Sequence, residues 1–386
     1  MNKPRLSYCI LTLLLIVSIS TGSLAQDDSD SSEEESVDLD ALEDEDTSTT
    51  HPGGHPGSGA GDDHKKPFKF KLFFDLLMEY EWETETFQFT RDHAYVVLEL
   101  NAADWLSFRT DIAFEPSFFE LTFHLGTVFE VRLGKILIPF GQNEFHHLIG
   151  GRVDRQSLFL PLIWADYGLA LKHMAYDGDI FGFDYTIYAV NGFQQTIGME
   201  GTPEPSRNAG SLTDNNTMKG IGLRMLFRIG AVNIGASGYF DAWDDDNQQQ
   251  MLYYGLDLEL GYGLMPAPVL RNIRLRGEIA SGEVMLPDLN LLGGILKYAT
   301  RKSGYNLEIS YRVIRWLTVR FREGYLNADS RVADTNDLRI HEPAVDVIYG
   351  PVKFSLILQI HEILPAYTET APEDYSCVFA RVMFRY

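Results

Sequence analysis

The last nine residues, VFARVMFRY (378–386), alternate. Val378, Ala380, Val382, Phe384 and Tyr386 share one parity, and Phe379, Arg381, Met383 and Arg385 share the other. Successive side chains of an extended chain point to opposite faces. A period of two is therefore a β-strand with different environments on its two sides. From residue 67 onward this period runs almost without a break. FKFKLFFDLLMEYEW puts Phe70, Leu72, Phe74, Leu76, Met78, Tyr80 and Trp82 on one face, with Lys69, Lys71, Asp75, Glu79 and Glu81 on the other. WLSFRTDIAFE sets Leu106, Phe108, Ile112 and Phe114 against Ser107, Arg109, Asp111 and Glu115. No segment carries a convincing helical period.

The pattern predicts sixteen strands, at about 68–82, 92–102, 105–115, 118–125, 127–136, 166–176, 180–191, 217–229, 231–241, 250–262, 270–282, 303–313, 315–326, 336–349, 351–362 and 376–386. Every second connection is short (AAD, GT, YDGD, IG, YGLMPAP, VIR, YGP). Most of the others are long: 137–165, 192–216, 242–249, 283–302, 327–335 and 363–375, with a tight one around Pro116. Short turns at one end and long loops at the other are the layout of a transmembrane antiparallel β-barrel of the outer-membrane type. A soluble sandwich would hide the apolar faces between two sheets. The aromatics at the strand ends favour a lipid-facing wall instead. A tilted strand crosses the bilayer with about 9–11 residues, which the predicted strands supply.

The chain before the barrel divides in two. Lys3 and Arg5, the apolar run Cys9–Ile19 and Ser23-Leu24-Ala25 read as a signal peptide over 1–25, with export starting the mature chain at Gln26. Residues 26–66 are acidic and then Gly-, Pro- and His-containing, a composition that predicts a disordered periplasmic linker, with the barrel over 67–386. His51, His55 and His64 are read as solvated linker residues, not as a metal site. Once the signal is removed only Cys377 remains, so no intrachain disulfide can form. The formal charge of −23 and the lack of a basic tract exclude nucleic acid as a partner. The expected location is the bacterial outer membrane, with lipid around the wall. A terminal aromatic such as Tyr386 resembles the signal by which the barrel-assembly machinery recognises its clients.

A barrel of about sixteen strands is too wide for side chains to fill. Lumen parity then assigns the candidate selectivity residues. In the first five strands these are Asp75, Glu79, Glu99, Asp111, Glu115, Glu120 and Glu130 with Lys69, Lys71, Arg109 and Arg132. In the last six they are Arg274, Arg276, Arg312, Arg320, Arg322, Lys353, Arg381 and Arg385 with Glu278, Glu308 and Asp346. A basic wall thus faces a more acidic one, unless the arginines pair with acids such as Glu278 and Glu308 and simply line water. Pro343 invites a bulge that would shift the parity of its strand. The apolar connection 137–165, with Glu144, His146, His147, Arg152, Asp154 and Arg155, is expected to fold inward and narrow the pore; capping neighbouring loops or contacting another subunit is the alternative. Adjacent residues on a strand point apart, so His146 and His147 do not make a metal pair.

GKILIPFG (134–141), the long loop after it, ADYGLAL (165–171) and YAVNG (188–192) resemble the phosphate-selective porin O and P family. The resemblance is best over about residues 92–195. It implies sixteen strands, an inward third loop, commonly three identical subunits and passage of ions and small hydrophilic solutes, with no cofactor. In that family selectivity rests on a dense row of arginines and lysines, whereas this loop balances Arg152 and Arg155 with Glu144 and Asp154. Two rival readings stand beside it: a plugged barrel acting as an adhesin or binding protein, and a barrel-embedded hydrolase. The histidines carry no recognisable serine or aspartate spacing, so the chain is read as a non-enzyme.

Overall fold

The computed structural model describes residues 68–81, 86–112, 118–142, 164–178, 180–197, 203–207, 217–262, 270–287, 297–327, 337–363 and 375–385. The signal peptide, the acidic linker and Tyr386 lie outside the described residues. The strands are β1 (Phe68–Glu81), β2 (Thr86–Ala103), β3 (Leu106–Ile112), β4 (Phe119–Leu125), β5 (Phe129–Leu137), β6 (Ala165–Asp177), β7 (Phe181–Val190), β8 (Phe193–Ile197), β9 (Pro203–Arg207), β10 (Gly220–Ile229), β11 (Val232–Ala242), β12 (Gln250–Leu260), β13 (Ile273–Pro287), β14 (Lys297–Ile314), β15 (Leu317–Asn327), β16 (Leu338–Tyr349), β17 (Val352–Ile363) and β18 (Tyr375–Arg385). Sixteen of them form one closed antiparallel barrel, and β8 and β9 form a separate hairpin.

Closure is made by the terminal strand. β18 pairs with β1 from Lys71↔Arg385 to Glu79↔Cys377, which leaves the sheet without an edge. The alternation that predicted each strand decides which way it faces. Leu100, Ile112, Leu169, Leu256, Ile279, Leu307 and Phe384 are 40–58% exposed, whereas Asp111, Glu120, Arg322, Glu342 and Asp346 are at most 2% exposed. A water-soluble fold has the opposite distribution. Leaving one such Leu or Phe in water forgoes about 1.5–3 kcal/mol of burial, so a wall of them requires lipid. On β18, Phe384 is exposed while Arg381 and Met383 are buried, as the parity of VFARVMFRY predicts.

Several strands outrun their predicted ends. β2 begins at Thr86, because TFQFTRDHAY pairs with β1 as far as Glu81↔Thr86, through a register shift between Leu77 and Met78. β13 and β14 likewise continue to Pro287↔Lys297. The predicted connection 192–216 contains β8 and β9, which pair from Phe193↔Arg207 to Ile197↔Pro203. Pro343 removes a donor without shifting the register: His341↔Ile360 and Ala344↔Ile357 belong to one frame, and Phe321↔Pro343 is a paired position on the other side. Asp346 therefore keeps its inward direction and is buried.

Candidate functional site

The site is the inner face of the barrel, and the third long connection shapes it. Ile136, Leu137, Ile138 and Phe140 are all buried at the end of β5. Both parities are covered there because the chain leaves the wall and enters the interior. The two roots of the loop join where the Ile138 N–H donates to the Trp164 carbonyl (2.8 Å). Beyond Pro139 the chain crosses to β11–β13. The Gly141 N–H donates to Ser237 Oγ (3.0 Å), the Gln142 N–H to Glu278 Oε2 (3.2 Å), and the Gln142 side-chain amide to the Leu258 carbonyl (3.4 Å). The start of the loop is thus a strap inside the barrel. Glu144, His146, His147, Arg152, Asp154 and Arg155 lie outside the described residues.

An apolar cluster anchors that strap. Ile136, Ile138, Phe140, Trp164, Tyr188, Tyr239, Trp243, Met251 and Tyr253 pack together on the inner wall. Trp164 sits edge-on to Tyr239 (5.0 Å) and to Phe193 (6.0 Å). Tyr188 lies flat on the wall because its register neighbour is Gly222; a Cβ at Gly222 would occupy the space of the ring.

The turn after YAVNG is held by two buried carboxylates. The Gly192 N–H donates to Asp166 Oδ2 (2.6 Å) and the Phe193 N–H to Asp241 Oδ2 (2.6 Å), which also accepts the Tyr239 hydroxyl (2.8 Å). Gly192 has φ +94°, and a Cβ there would run into the Asp241 carboxylate. This is the local reason for glycine at that position, and it fixes where the β8–β9 hairpin begins.

The arginines of the later strands are arranged in carboxylate-bridged groups. Arg274 Nε (3.0 Å) and Arg276 Nε (2.9 Å) both donate to Glu259 Oε1. Arg274 also shares the Tyr262 ring with Arg312, whose guanidinium carbon is 4.2 Å from the ring centroid. Arg320 Nε lies 2.7 Å from Asp346 Oδ2 and Arg320 Nη1 3.4 Å from Glu308 Oε2, while Lys353 Nζ is 3.2 Å from Asp346. Arg322 pairs with Glu342, which also accepts the Gln359 amide (2.6 Å). Arg224 makes a two-point contact with Asp257, both bonds 2.8 Å. Glu308 is a counter-ion as the sequence suggests. Glu278 receives the loop strap, and Glu259 holds both Arg274 and Arg276.

On β3–β5, Arg109 pairs with Glu120, Asp111 accepts the Phe118 N–H (3.1 Å), and Glu130 lies 3.8 Å from Arg132. Glu115 lies outside the described residues, and β1 is placed through its pairing, Asp75↔Arg381 among the register partners. The sequence did not single out one grouping here. Ser107 Oγ is 3.1 Å from His124 Nε2, and His124 Nδ1 is 3.6 Å from Glu130. The three residues sit on three neighbouring strands, so no linear spacing reveals them; only strand register does.

No family model matches the chain, and no curated protein matches its sequence. Solved structures do match. An anion-selective porin from Comamonas acidovorans is similar with a TM-score of 0.52 at 11% identity, over 83% of this chain and 99% of that one. OmpF of Salmonella typhi, solved in complex with daunomycin, is similar with a TM-score of 0.51 at 9% identity, over 83% and 97%. At such identities the likeness is one of fold. An apolar outer wall around a polar, partly strapped interior on that fold is the architecture of a bacterial outer-membrane β-barrel.

Proposed function

We propose that the chain is an outer-membrane diffusion channel for ions and small hydrophilic solutes. The observation that carries this reading is a closed sixteen-strand barrel whose inner wall is charged and paired, since a barrel of this width leaves an aqueous path. The proposed selectivity residues are Arg109, Asp111, Glu115, Glu130 and Arg132 on one wall and Arg274, Arg276, Arg312, Arg320, Arg322 and Lys353 on the other. Connection 137–165 is the proposed constriction, and its strap onto Ser237 and Glu278 supports that assignment. The proposed architecture is that of the phosphate-selective O and P porins, with three identical subunits. Arginines bridged by carboxylates favour a general pore over a phosphate-specific row. The test is single-channel recording in planar bilayers with the purified protein. Stepwise ohmic insertions are expected; insertion without current refutes the channel.

Two observations favour other readings. The interior apolar cluster favours a plugged barrel, which would insert and pass no current. The Ser107–His124–Glu130 grouping favours a hydrolase, because a serine beside an oriented histidine is an activated nucleophile. The His124–Glu130 separation is an ion-pair distance, and Glu130 is shared with Arg132. A fluorophosphonate probe separates these cases. A channel leaves Ser107 unlabelled, and labelling abolished by Ser107→Ala would establish the nucleophile.

A further inference from the structure

On the outer wall, the border between apolar and polar residues is not level. Across β14–β17 it is carried by three rungs of the sheet, all on the lipid-facing parity. The lowest rung is Ile309, Phe321 and Pro343. The next is Leu307, Glu323, His341 and Ile360. The third, toward the long loops, is Tyr305, Tyr325, Arg339 and Glu362. On strands tilted by about 35–45°, rungs two residues apart differ by about 5 Å in height, so this wall turns from apolar to charged within about 10 Å. On β10–β12 the outward row Ile221, Phe240 and Leu252 stays apolar up to the loop end.

The charged rung has unmet capacity of both signs. The Tyr305 hydroxyl donates to Glu323 Oε1 (3.0 Å) and the Tyr325 hydroxyl to Asp337 Oδ2. His341 stacks on Phe321 and lies 3.7 Å from Glu362. Arg339, half-buried, faces Glu362 across β16 and β17 but makes no ion pair among the described residues. Arg339 Nε and Asp337 Oδ1 are buried without a hydrogen-bond partner.

We propose that this face of β14–β17 binds the headgroup of an outer-leaflet glycolipid whose sugar phosphate carries an amine. The planar guanidinium of Arg339 fits a phosphate. Glu323, Asp337 and Glu362 stand around it, so a purely anionic head meets repulsion there. A phosphate esterified with ethanolamine carries its ammonium two carbons away. That reach is close to the spacing of adjacent strands, about 4.8 Å, and brings the ammonium from Arg339 to Glu362 or to the open oxygen of Asp337. The Tyr305 and Tyr325 rings, 5.7 Å apart, offer flat surfaces to the sugar. Ile309, Phe321 and Pro343 below them meet the acyl chains. The long loops of such a barrel face the cell exterior, which sets the site in the outer leaflet. The inference concerns the outside of the wall and is independent of whether the pore conducts.

The experiment is native mass spectrometry of the full-length protein in detergent, titrated with lipid A bearing phosphoethanolamine, with unsubstituted bisphosphoryl lipid A and with phosphatidylethanolamine. The substituted lipid A is expected to bind tightest. Arg339→Gln removes a charge-assisted contact and should weaken that binding about tenfold or more. Asp337→Asn with Glu362→Gln should abolish the preference for the amine while leaving unsubstituted lipid A bound at least as well. Gln250→Ala, at the loop end of β12, should change neither. The heat-induced gel shift confirms that each variant is folded. Equal binding of the two forms of lipid A by the parent, or unchanged binding by Arg339→Gln, overturns the proposal. Phosphatidylethanolamine bound as tightly as the glycolipid gives the site to a phospholipid and overturns it as well. So does a change of oligomeric mass in Arg339→Gln with lipid binding intact, which makes this face a subunit contact.

Discussion

Asp346→Asn probes the reasoning about the basic wall most directly. Asp346 is 1% exposed and holds two cations, Arg320 at 2.7 Å and Lys353 at 3.2 Å. Arg320 retains Glu308 at 3.4 Å. The group is thus two cations and two carboxylates, and the amide removes one negative charge while keeping the shape. An ion passing about 8 Å away feels the uncovered positive charge by about 0.5 kcal/mol in water. An anion gains that amount and a cation loses it, so the difference is about 1 kcal/mol, or about fivefold in permeability ratio. The reversal potential across a KCl gradient should shift toward chloride by that factor, and the shift should shrink as screening grows. The double variant Asp346→Asn with Lys353→Gln removes one charge of each sign and should return the potential toward the parent value. An unchanged reversal potential in the single variant, or a shift toward potassium, would show that this group does not face the ion path. Removing one partner of a fully buried pair costs about 3–5 kcal/mol, and water on the pore side puts the expected loss at or below the lower figure, measurable by urea titration in vesicles.

Other consequences follow from the same geometry. Glu278→Ala removes the acceptor of the Gln142 N–H and should loosen the strap, raising single-channel conductance and current noise; unchanged traces would place the strap outside the constriction. Gly192→Ala forces a side chain into a positive-φ turn against Asp241 and should cost about 1–3 kcal/mol, seen as a lower temperature for the heat-induced gel shift. Leu256→Arg places a charge on the lipid face and should cost about 2–4 kcal/mol near the bilayer midplane, whereas a lumen-facing change such as Ser310→Asn should leave the unfolding midpoint nearly unmoved. Equal effects of the two would contradict the assignment of faces.

Period two was enough to read the barrel because lipid outside and water inside impose the same alternation on every strand. Leu106, Phe108 and Ile112 face out, and Ser107, Arg109 and Asp111 face in, from parity alone. Parity says nothing about where a strand stops once it has left the bilayer: TFQFTRDHAY keeps pairing with β1 as far as Glu81↔Thr86, across a register shift at Leu77/Met78. Hence β2, β13 and β14 are longer than their patterns suggested, and β8–β9 was hidden in a connection. The inward course of residues 138–142 was legible as an apolar loop that water would not favour.

Partner choice inside the pore was the part that could not be read, because it depends on register and reach across strands. Parity places Glu278 inward beside Arg276, and a linear reading makes them a pair. In the folded barrel the Gln142 amide arrives from a loop that starts more than a hundred residues earlier and donates to Glu278. Glu259, directly opposite Arg276 on β12, then holds both arginines. The wall that looked basic in sequence is therefore bridged in space, partly by the counted Glu308 and Asp346 and partly by Asp257, Glu259 and Glu342, which had been left uncounted.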